Sequence, residues 1–183
     1  MLSKKKIICP ENLLKIAKSK GIAKSAIVNA GTGVIMESAK QASDLNLIQP
    51  VFIGDKVLIN KCANDLKWDI SKYETIHESN ENSTAPIAAR LASEGKVKII
   101  VKGHIHTDVL MKAVLKRDLN LIGKKRLSHI WHMTLDKEDK PLIITDGALN
   151  VNPNVKTKMH ILRNVVDFCH RIKISKPKVS ILS

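Results

Sequence analysis

The clearest candidate for chemistry is residues 102–108, where a lysine and a glycine end an apolar run and a threonine follows. The pattern predicts that Lys102 and Gly103 close a strand and that Thr107 opens the next helix. Ligands of open α/β sheets bind beyond the carboxyl ends of the strands, and a helix N-terminus offers N–H groups to an anion. Lys102, Gly103 and Thr107 are therefore candidate anion-binding residues, although an ordinary helix cap beside a surface lysine fits the same pattern.

Two further polar segments flank predicted strands. Arg126 and Ser128 open one strand, and a guanidinium can hold a phosphate through two parallel hydrogen bonds. Asp146 and Asn150 come just after another strand, on either side of Gly147. Each segment also has a structural explanation without a ligand. The first could simply contain a surface arginine, and the second could simply be a turn.

Several common enzyme motifs are absent, because the sequence lacks the required residues at the required spacing. Gly31 and Gly33 follow a predicted strand, but the third glycine of a dinucleotide-binding fingerprint would fall at Met36, so a tight turn is the better interpretation. Neither a P-loop nor a GxSxG nucleophile elbow is present. Four of the seven histidines stand in two close pairs without a cysteine or carboxylate at metal-ligand spacing, so no metal site is predicted. These histidines are His104, His106, His129 and His132.

Apolar runs and helical spacing alternate along the chain, which predicts an α/β fold with a mostly parallel sheet. The predicted strands are residues 25–31, 50–55, 73–77 and 97–103, and the predicted helices are 34–45, 83–94 (with Pro86 in its first turn), 107–114 and 156–172. Residues 127–135 and 141–145 predict a hairpin around a charged turn. Residues 178–183 predict the beginning of a further strand.

Composition narrows the class of protein. The 183 residues are 44% apolar but only 3% aromatic, which predicts an aliphatic core in a domain of ordinary size or slightly more. The net charge of +14 suits anionic partners or a lysine-rich solvated surface. Scarce aromatics and the lack of nucleic-acid motifs argue against nucleic acid as a partner.

Without a long apolar run or a signal peptide, we expect a cytoplasmic protein with no membrane partner. Three widely separated cysteines predict no disulfide framework.

Four segments, in this order, closely resemble the phosphate acetyltransferase and phosphate butyryltransferase family. They are residues 101–110, 126–130, 144–153 and 177–183, and residues 50–55 also fit the family pattern. The resemblance extends over nearly the whole chain from about residue 22. Four ordered motifs at matching spacing are far more specific than any of them alone.

The resemblance implies a reversible transfer of an acyl group between coenzyme A and inorganic phosphate. Acyl phosphate, phosphate and coenzyme A would be substrates, and no bound cofactor is implied. The implied fold is a three-layer α/β sandwich with a mostly parallel sheet, similar to isocitrate and isopropylmalate dehydrogenases, with the active site between two domains. The matching substrate- or phosphate-binding positions are Lys102, Gly103, Thr107, Arg126, Ser128, Asp146 and Asn150. Of these, Arg126 is assigned to phosphate, and Gly147 stands where the family usually has alanine.

The resemblance also predicts a domain division. Residues 1–150 match the N-terminal α/β domain of the family, and residues 151–183 match a linker helix and the first strand of a second domain that is largely missing. The family's catalytic serine–arginine pair and proposed aspartate base are expected beyond Ser183, so no catalytic residue is assigned. A second polypeptide carrying the missing C-terminal half is a candidate partner, and a homodimer is another because family members often dimerise.

Three hypotheses remain open from the sequence. The first is a phosphate acyltransferase, as the N-terminal part of a split or truncated enzyme. The second is a non-catalytic remnant that acts as a binding or assembly partner. The third, motivated only by net charge, is a basic nucleic-acid binder.

Overall fold

The computed structural model describes residues 9–123, 126–134 and 140–182. The chain divides into two compact units. The larger unit is residues 17–122, and the smaller comprises the described residues of 1–16 and 123–183. The elements in chain order are α1 (Glu11–Lys18), β1 (Ala23–Val28), α2 (Gly33–Asp44), β2 (Ile48–Gly54), α3 (Lys56–Asp65), β3 (Glu74–His77), α4 (Glu81–Ser93), β4 (Ile99–Lys102), α5 (Thr107–Val114), a 3₁₀ turn (Arg117–Leu119), β5 (Trp131–Met133), β6 (Leu142–Ile144) and α6 (Val155–Arg171).

The larger unit is built on a four-stranded parallel sheet in the order β3–β2–β1–β4. Val28, the last residue of β1, lies opposite Ile53 of β2 and Lys102 of β4. The carboxyl ends of these three neighbouring strands therefore lie at one edge of the sheet, where α2, α3 and α5 begin. The α/β class and the mostly parallel sheet predicted from the sequence are confirmed.

Each face of the sheet carries its own apolar core, because neighbouring side chains on a strand point to opposite faces. Ala26 and Val28 pack on one face with residues of α4 and α5. Ile27 and Phe52 pack on the other with residues of α2 and α3. The larger unit therefore has three layers, with helices on both sides of the sheet, as the resemblance implied.

Three of the few aromatic residues lie together in the second of these cores. Phe52, Trp68 and Tyr73 meet edge to face, with ring centroids 5.5 to 6.2 Å apart. Most other members of both cores are Ala, Val, Ile, Leu and Met, as the composition predicted.

The smaller unit contains an antiparallel two-stranded ribbon, β5–β6, and the long helix α6. Trp131 pairs with Ile144 and Met133 with Leu142, which confirms the predicted hairpin pairing. Most of its predicted charged turn, residues 136–140, lies outside the described residues, which omit 135–139. The Asn154 side chain caps α6 by accepting a hydrogen bond from the Thr157 N–H at 2.9 Å.

Some predictions at the level of single elements were wrong. Helix α4 begins at Glu81 because the Asn80 side chain accepts from the Asn82 N–H at 3.0 Å, so Pro86 lies inside the helix and not in its first turn. Helices α1 and α3 were not predicted. Residues 178–182 form no strand, since no described strand lies beside them to supply hydrogen bonds. The domain boundary at residue 150 stays a prediction; the compact units divide after residue 122.

Candidate functional site

The larger unit holds the first group of predicted site residues at the carboxyl edge of its sheet. Lys102 is the last residue of β4 and is exposed, and Thr107 is the first residue of α5 and is also exposed. Between them runs the loop of residues 103–106. The strand-to-helix arrangement predicted for this segment is therefore present, and it places a lysine ammonium and a threonine hydroxyl within one short connection.

Gly103 is required because the loop after β4 passes very close to the backbone at the end of β1. A Cβ at this position would lie well inside van der Waals contact with the Val28 carbonyl oxygen and 2.8 Å from that of Asn29. The Asn29 side-chain amide also donates a hydrogen bond to the carbonyl oxygen of His104. Asn29 has a positive φ of 49°, a conformation that asparagine tolerates better than most residues. The structure thus explains Gly103 by the contact between the β1 and β4 loops.

The N-terminus of α5 is partly occupied by carboxylates of the chain. His106 is the N-cap residue but makes no side-chain cap, and its N–H donates to a Glu81 carboxylate oxygen at 3.3 Å. Asp108 lies in the first turn, where its pKa is lowered mainly by a hydrogen bond from Lys112. An anion that binds here must share the helix terminus with these two carboxylates.

The smaller unit holds the second group, which is organised around the segment 126–129. The Asn164 side-chain amide, on α6, donates to the carbonyl oxygen of Arg126 at 2.8 Å and to the hydroxyl of Ser128 at 3.0 Å. The Asn150 side-chain amide donates to the carbonyl oxygen of Leu127 at 2.9 Å. The backbone that carries Arg126 and Ser128 is therefore held from two directions.

Asp146 is the centre of the loop that follows β6. Its carboxylate accepts hydrogen bonds from the backbone N–H of His129 at 2.8 Å and from that of Asn150 at 2.9 Å, and it also accepts from the Asn150 side chain. Longer bonds come from the N–H groups of Ala148 and Leu149. Burial alone would raise the pKa of Asp146, but these hydrogen bonds outweigh it and hold that pKa below its usual value. Asp146 is therefore a carboxylate that ties the loop to segment 126–129.

The exposed group of this second cluster is the Arg126 guanidinium. Arg126 is exposed, and within the residues that the structure describes its guanidinium has no hydrogen-bond or ion-pair partner. Its backbone is therefore fixed while its side chain is exposed to solvent. By contrast, the polar atoms of Asp146 and Asn150 are directed into the protein.

Two residues of this cluster were not among the predicted site residues. Asn164 lies beside the buried stripe of α6, and its only sequence signal was an amide next to Val165 on the apolar side of an amphipathic helix. His129 packs edge-on against Trp131, with ring centroids 5.0 Å apart. Its Nδ1 is buried without a hydrogen-bond partner in the part of the chain described here.

The described residues contain no cluster of three or more histidine, cysteine, aspartate or glutamate side chains that could hold a metal ion. Among the same residues, no helix combines the length and the apolar character that a membrane crossing requires. Cys9, Cys62 and Cys169 are all free thiols.

Comparison with protein families gives one match that extends to the end of the chain. The model described as "Phosphate acetyl/butaryl transferase" matches residues 72–183. This range includes all seven predicted site residues.

Two curated relatives illustrate the similarity over the whole chain. A phosphate acetyltransferase of Rickettsia typhi is 35% identical over 173 residues, which are 94% of this chain and 50% of the relative. A phosphate butyryltransferase of Clostridium acetobutylicum is 31% identical over 170 residues, which are 93% of this chain and 56% of the relative. The chain thus spans about half the length of the curated relatives it matches.

Solved structures show the same fold. A branched-chain phosphotransacylase from Enterococcus faecalis superposes with a TM-score of 0.65 at 26% identity, over 81% of this chain and 51% of that one. A phosphotransacetylase from Streptococcus pyogenes superposes with a TM-score of 0.75 at 15% identity, over 91% and 60% of the two chains.

Proposed function

Since the chain belongs to the phosphate acetyl/butyryltransferase family, we propose that it forms part of an acyltransferase that moves an acyl group reversibly between coenzyme A and inorganic phosphate. The single observation that carries the proposal is that Arg126 combines a fixed backbone with an exposed guanidinium. Its backbone carbonyl accepts from Asn164, and its exposed guanidinium has no partner among the described residues.

The reaction explains why such an arginine is needed. In the direction of thioester formation, the coenzyme A sulfur forms a bond with the carbonyl carbon of the acyl phosphate. The bond from that carbon to the phosphate oxygen breaks, and phosphate leaves with the electron pair. A guanidinium stabilises the leaving phosphate, because its positive charge and its parallel N–H donors pair with the negative charge that develops on the phosphate oxygens.

The remaining predicted residues support the proposal in different ways. We assign the Ser128 hydroxyl to the phosphate beside Arg126, and the Lys102 ammonium and Thr107 hydroxyl to anionic groups of the substrates. We assign Asp146 and Asn150 to fixing segment 126–129, on the basis of their hydrogen bonds to His129 and Leu127. A base for the coenzyme A thiol is needed as well, because a free thiol with a pKa of about 8.5 is mostly protonated at neutral pH.

This chain matches only about half of the length of its relatives, which affects how an active enzyme would be assembled. This chain spans 50% of the Rickettsia typhi relative and 51% of the Enterococcus faecalis structure. We propose that acyl transfer needs the half of the family's length that this chain does not span, and that a further polypeptide segment supplies it. A non-catalytic binding or assembly partner stays the alternative hypothesis from the sequence. A homodimer and a cytoplasmic location stay predictions from the sequence.

Thioester formation tests the proposal. The chain is joined to the remaining half of the Rickettsia typhi relative, and formation of thioester from coenzyme A and acetyl or butyryl phosphate is followed. We expect turnover well above background, and we expect Arg126→Gln to lower kcat/KM for the acyl phosphate by about a hundredfold, the loss typical of removing one charge-stabilising donor.

Arg171→Gln, which removes an exposed arginine in the last turn of α6, is the matched control and should leave turnover unchanged. A folded fusion that makes no thioester would contradict the acyltransferase proposal and favour the assembly partner. Full activity of Arg126→Gln would contradict the phosphate role of this arginine.

A further inference from the structure

Helix α6 places the side-chain amide of Asn164 against the segment that carries Arg126 and Ser128. The nitrogen Nδ2 of Asn164 lies 2.8 Å from the carbonyl oxygen of Arg126 and 3.0 Å from the hydroxyl oxygen of Ser128. Asn164 is half-buried, and it is 38 and 36 positions from these two residues along the chain. One side chain of the long helix therefore contacts both residues that the proposed function assigns to phosphate.

The two contacts determine how the amide of Asn164 is oriented. A backbone carbonyl oxygen accepts hydrogen bonds and cannot donate them, so the amide atom that faces the Arg126 carbonyl is the NH₂ group. This group has two hydrogens, and the second is directed at the Ser128 hydroxyl. An amide nitrogen donates and does not accept. The Ser128 oxygen is therefore the acceptor in this bond, and its own proton is not used there.

The Ser128 proton is thus left for another acceptor. Within the residues that the structure describes, no hydrogen bond other than the one from Asn164 involves the Ser128 hydroxyl. We propose that Asn164 is a positioning residue, which directs the Ser128 hydroxyl proton at an oxygen of the phosphate group that Arg126 binds. This inference rests on the phosphate role that the proposed function gives to Arg126 and Ser128.

The backbone next to Ser128 is fixed as well. The Asp146 carboxylate accepts from the His129 N–H at 2.8 Å, and the Thr145 hydroxyl donates to the His129 carbonyl oxygen at 2.6 Å. Rotation about its own Cα–Cβ bond is then the main freedom left to the Ser128 side chain, and the bond from Asn164 restricts that rotation. A donor that is already oriented stabilises an anion without reorganisation when the anion binds.

The side-chain amide protons of Asn164 test the geometry without any reaction. In ¹⁵N-resolved spectra of the chain, the two Nδ2 protons give separate resonances, which are assigned by their loss in Asn164→Asp. Ser128→Ala removes one acceptor, so we expect one of the two resonances to shift upfield while the other, bonded to Arg126, stays in place. Ser128→Thr, which keeps the hydroxyl, should leave both resonances in place. Two unchanged resonances in Ser128→Ala would overturn the proposal.

Anion selectivity provides the functional readout. Binding of inorganic phosphate and of sulfate is measured with the chain joined to the remaining half of the Rickettsia typhi relative, at mildly alkaline pH, where both anions are dianions. In Asn164→Asp the new carboxylate accepts the Ser128 proton, and the hydroxyl turns a lone pair to the anion. Phosphate still has a proton to donate to that lone pair, whereas sulfate has none.

We therefore expect Asn164→Asp to weaken sulfate binding by about tenfold more than phosphate binding, since hydrogen bonds to charged groups are strong. The added negative charge acts on both dianions alike and cancels in this ratio. In a Ser128→Ala background the same substitution should leave the ratio unchanged. Asn60→Asp, the same change at an exposed position of α3, is the matched control and should leave both affinities unchanged. Equal weakening of the two anions by Asn164→Asp would show a merely structural role and overturn the proposal.

The outcomes separate this inference from the proposed function. A fusion that makes thioester, but whose sulfate-to-phosphate ratio does not respond to Asn164→Asp, would overturn the role of Asn164 and leave the function standing. A ratio that changes as expected in a fusion without turnover would support the role of Asn164 and contradict the function. An unchanged fusion that binds neither anion would overturn the inference. If Asn164→Asp does not fold, the amide resonances in Ser128→Ala decide the question.

Discussion

Gly103 and Asp146 each hold two backbone segments together, and each does so through contacts made far along the sequence. At Gly103 the absence of a side chain lets the β4 loop approach the carbonyl oxygens of Val28 and Asn29. At Asp146 one carboxylate gathers backbone N–H groups from its own loop and from His129. The resemblance predicted a substrate-binding role for both positions, and the geometry gives each of them a structural role.

Gly103→Ala should destabilise the larger unit. The new methyl group would overlap the Val28 carbonyl oxygen, so the end of β4 would have to move, and overpacking of this kind costs about 1–3 kcal/mol. The free energy of unfolding in urea measures the loss. Gly33→Ala is the control, since a Cβ there meets nothing within 4 Å, and it should change stability very little. Equal stability of the two variants would contradict the close approach.

The carboxylate of Asp146 should make the smaller unit sensitive to acid. Its pKa in the folded protein lies below the value of about 3.9 for an unfolded chain, so its contribution to stability is present above that value and is lost as pH falls through the folded pKa. The protection of the amides of residues 127–133, measured as their exchange relative to an unfolded chain at the same pH, should fall in this acid range. Asp146→Asn should exchange faster at neutral pH and lose this acid step, whereas an unchanged pH profile in the variant would contradict the role of the carboxylate.

At the scale of elements, the helix N-termini differ in how they are capped. Asp55 accepts from the N–H groups of Val57 at 2.7 Å and Leu58 at 3.4 Å, and so caps α3. Thr32 occupies the same position before α2 but makes no side-chain cap. A capped helix, α3, can therefore be compared with a helix without a side-chain cap, α2, within the same unit.

Asp55→Ala should lower the free energy of unfolding by about 0.5–2 kcal/mol, because two helix N–H groups lose their acceptor. Thr32→Ala should cost much less, since no such bond is lost. Chemical unfolding followed by circular dichroism compares them. A larger loss for Thr32→Ala would show that the capping bonds do not decide the stability of these helices.

The sequence predicted most elements of the larger unit because their signals are local. Short apolar runs ending in glycine predicted β1 and β2, and a helix-start signal at residues 83–86 with a following glycine at residue 95 predicted α4. The α3 helix carried a usable signal in the Asp55 cap and in Ile59 and Ala63 one turn apart, and it was missed. The pairing of segments 126–129 and 145–150 could not be predicted in detail, since it depends on hydrogen bonds between residues 16 to 23 positions apart.

For the whole molecule, the two compact units differ in how much core they contain. Both apolar cores of the sheet lie entirely within residues 17–122. Among the described residues of the smaller unit, the buried apolar side chains form a stripe along α6, at Ile161, Val165 and Cys169. We therefore expect the larger unit, which has more buried apolar core, to be more stable than the smaller unit.

Residues 17–122 should fold without the rest of the chain. Their two cores are complete within this range, so we expect a cooperative thermal transition and dispersed amide resonances from a fragment of these residues. Phe52→Ala, which removes a fully buried ring at the centre of the aromatic cluster, should abolish the transition or lower its midpoint strongly, as losses of about 3–5 kcal/mol are usual for such changes. An unfolded fragment would show that the smaller unit is needed for the larger one.

The sequence by itself determined the α/β class, the alternation of strands and helices, and the family, because hydrophobic periodicity and ordered motifs are properties of neighbouring residues. Only the tertiary structure decided which of the predicted site residues have free polar groups. Arg126 keeps an available guanidinium, while Asp146 and Asn150 use theirs on the protein backbone. The physical reason is that hydrogen-bond partners are assigned by strand register and loop closure over long sequence separations, and the residue types alone do not carry that information.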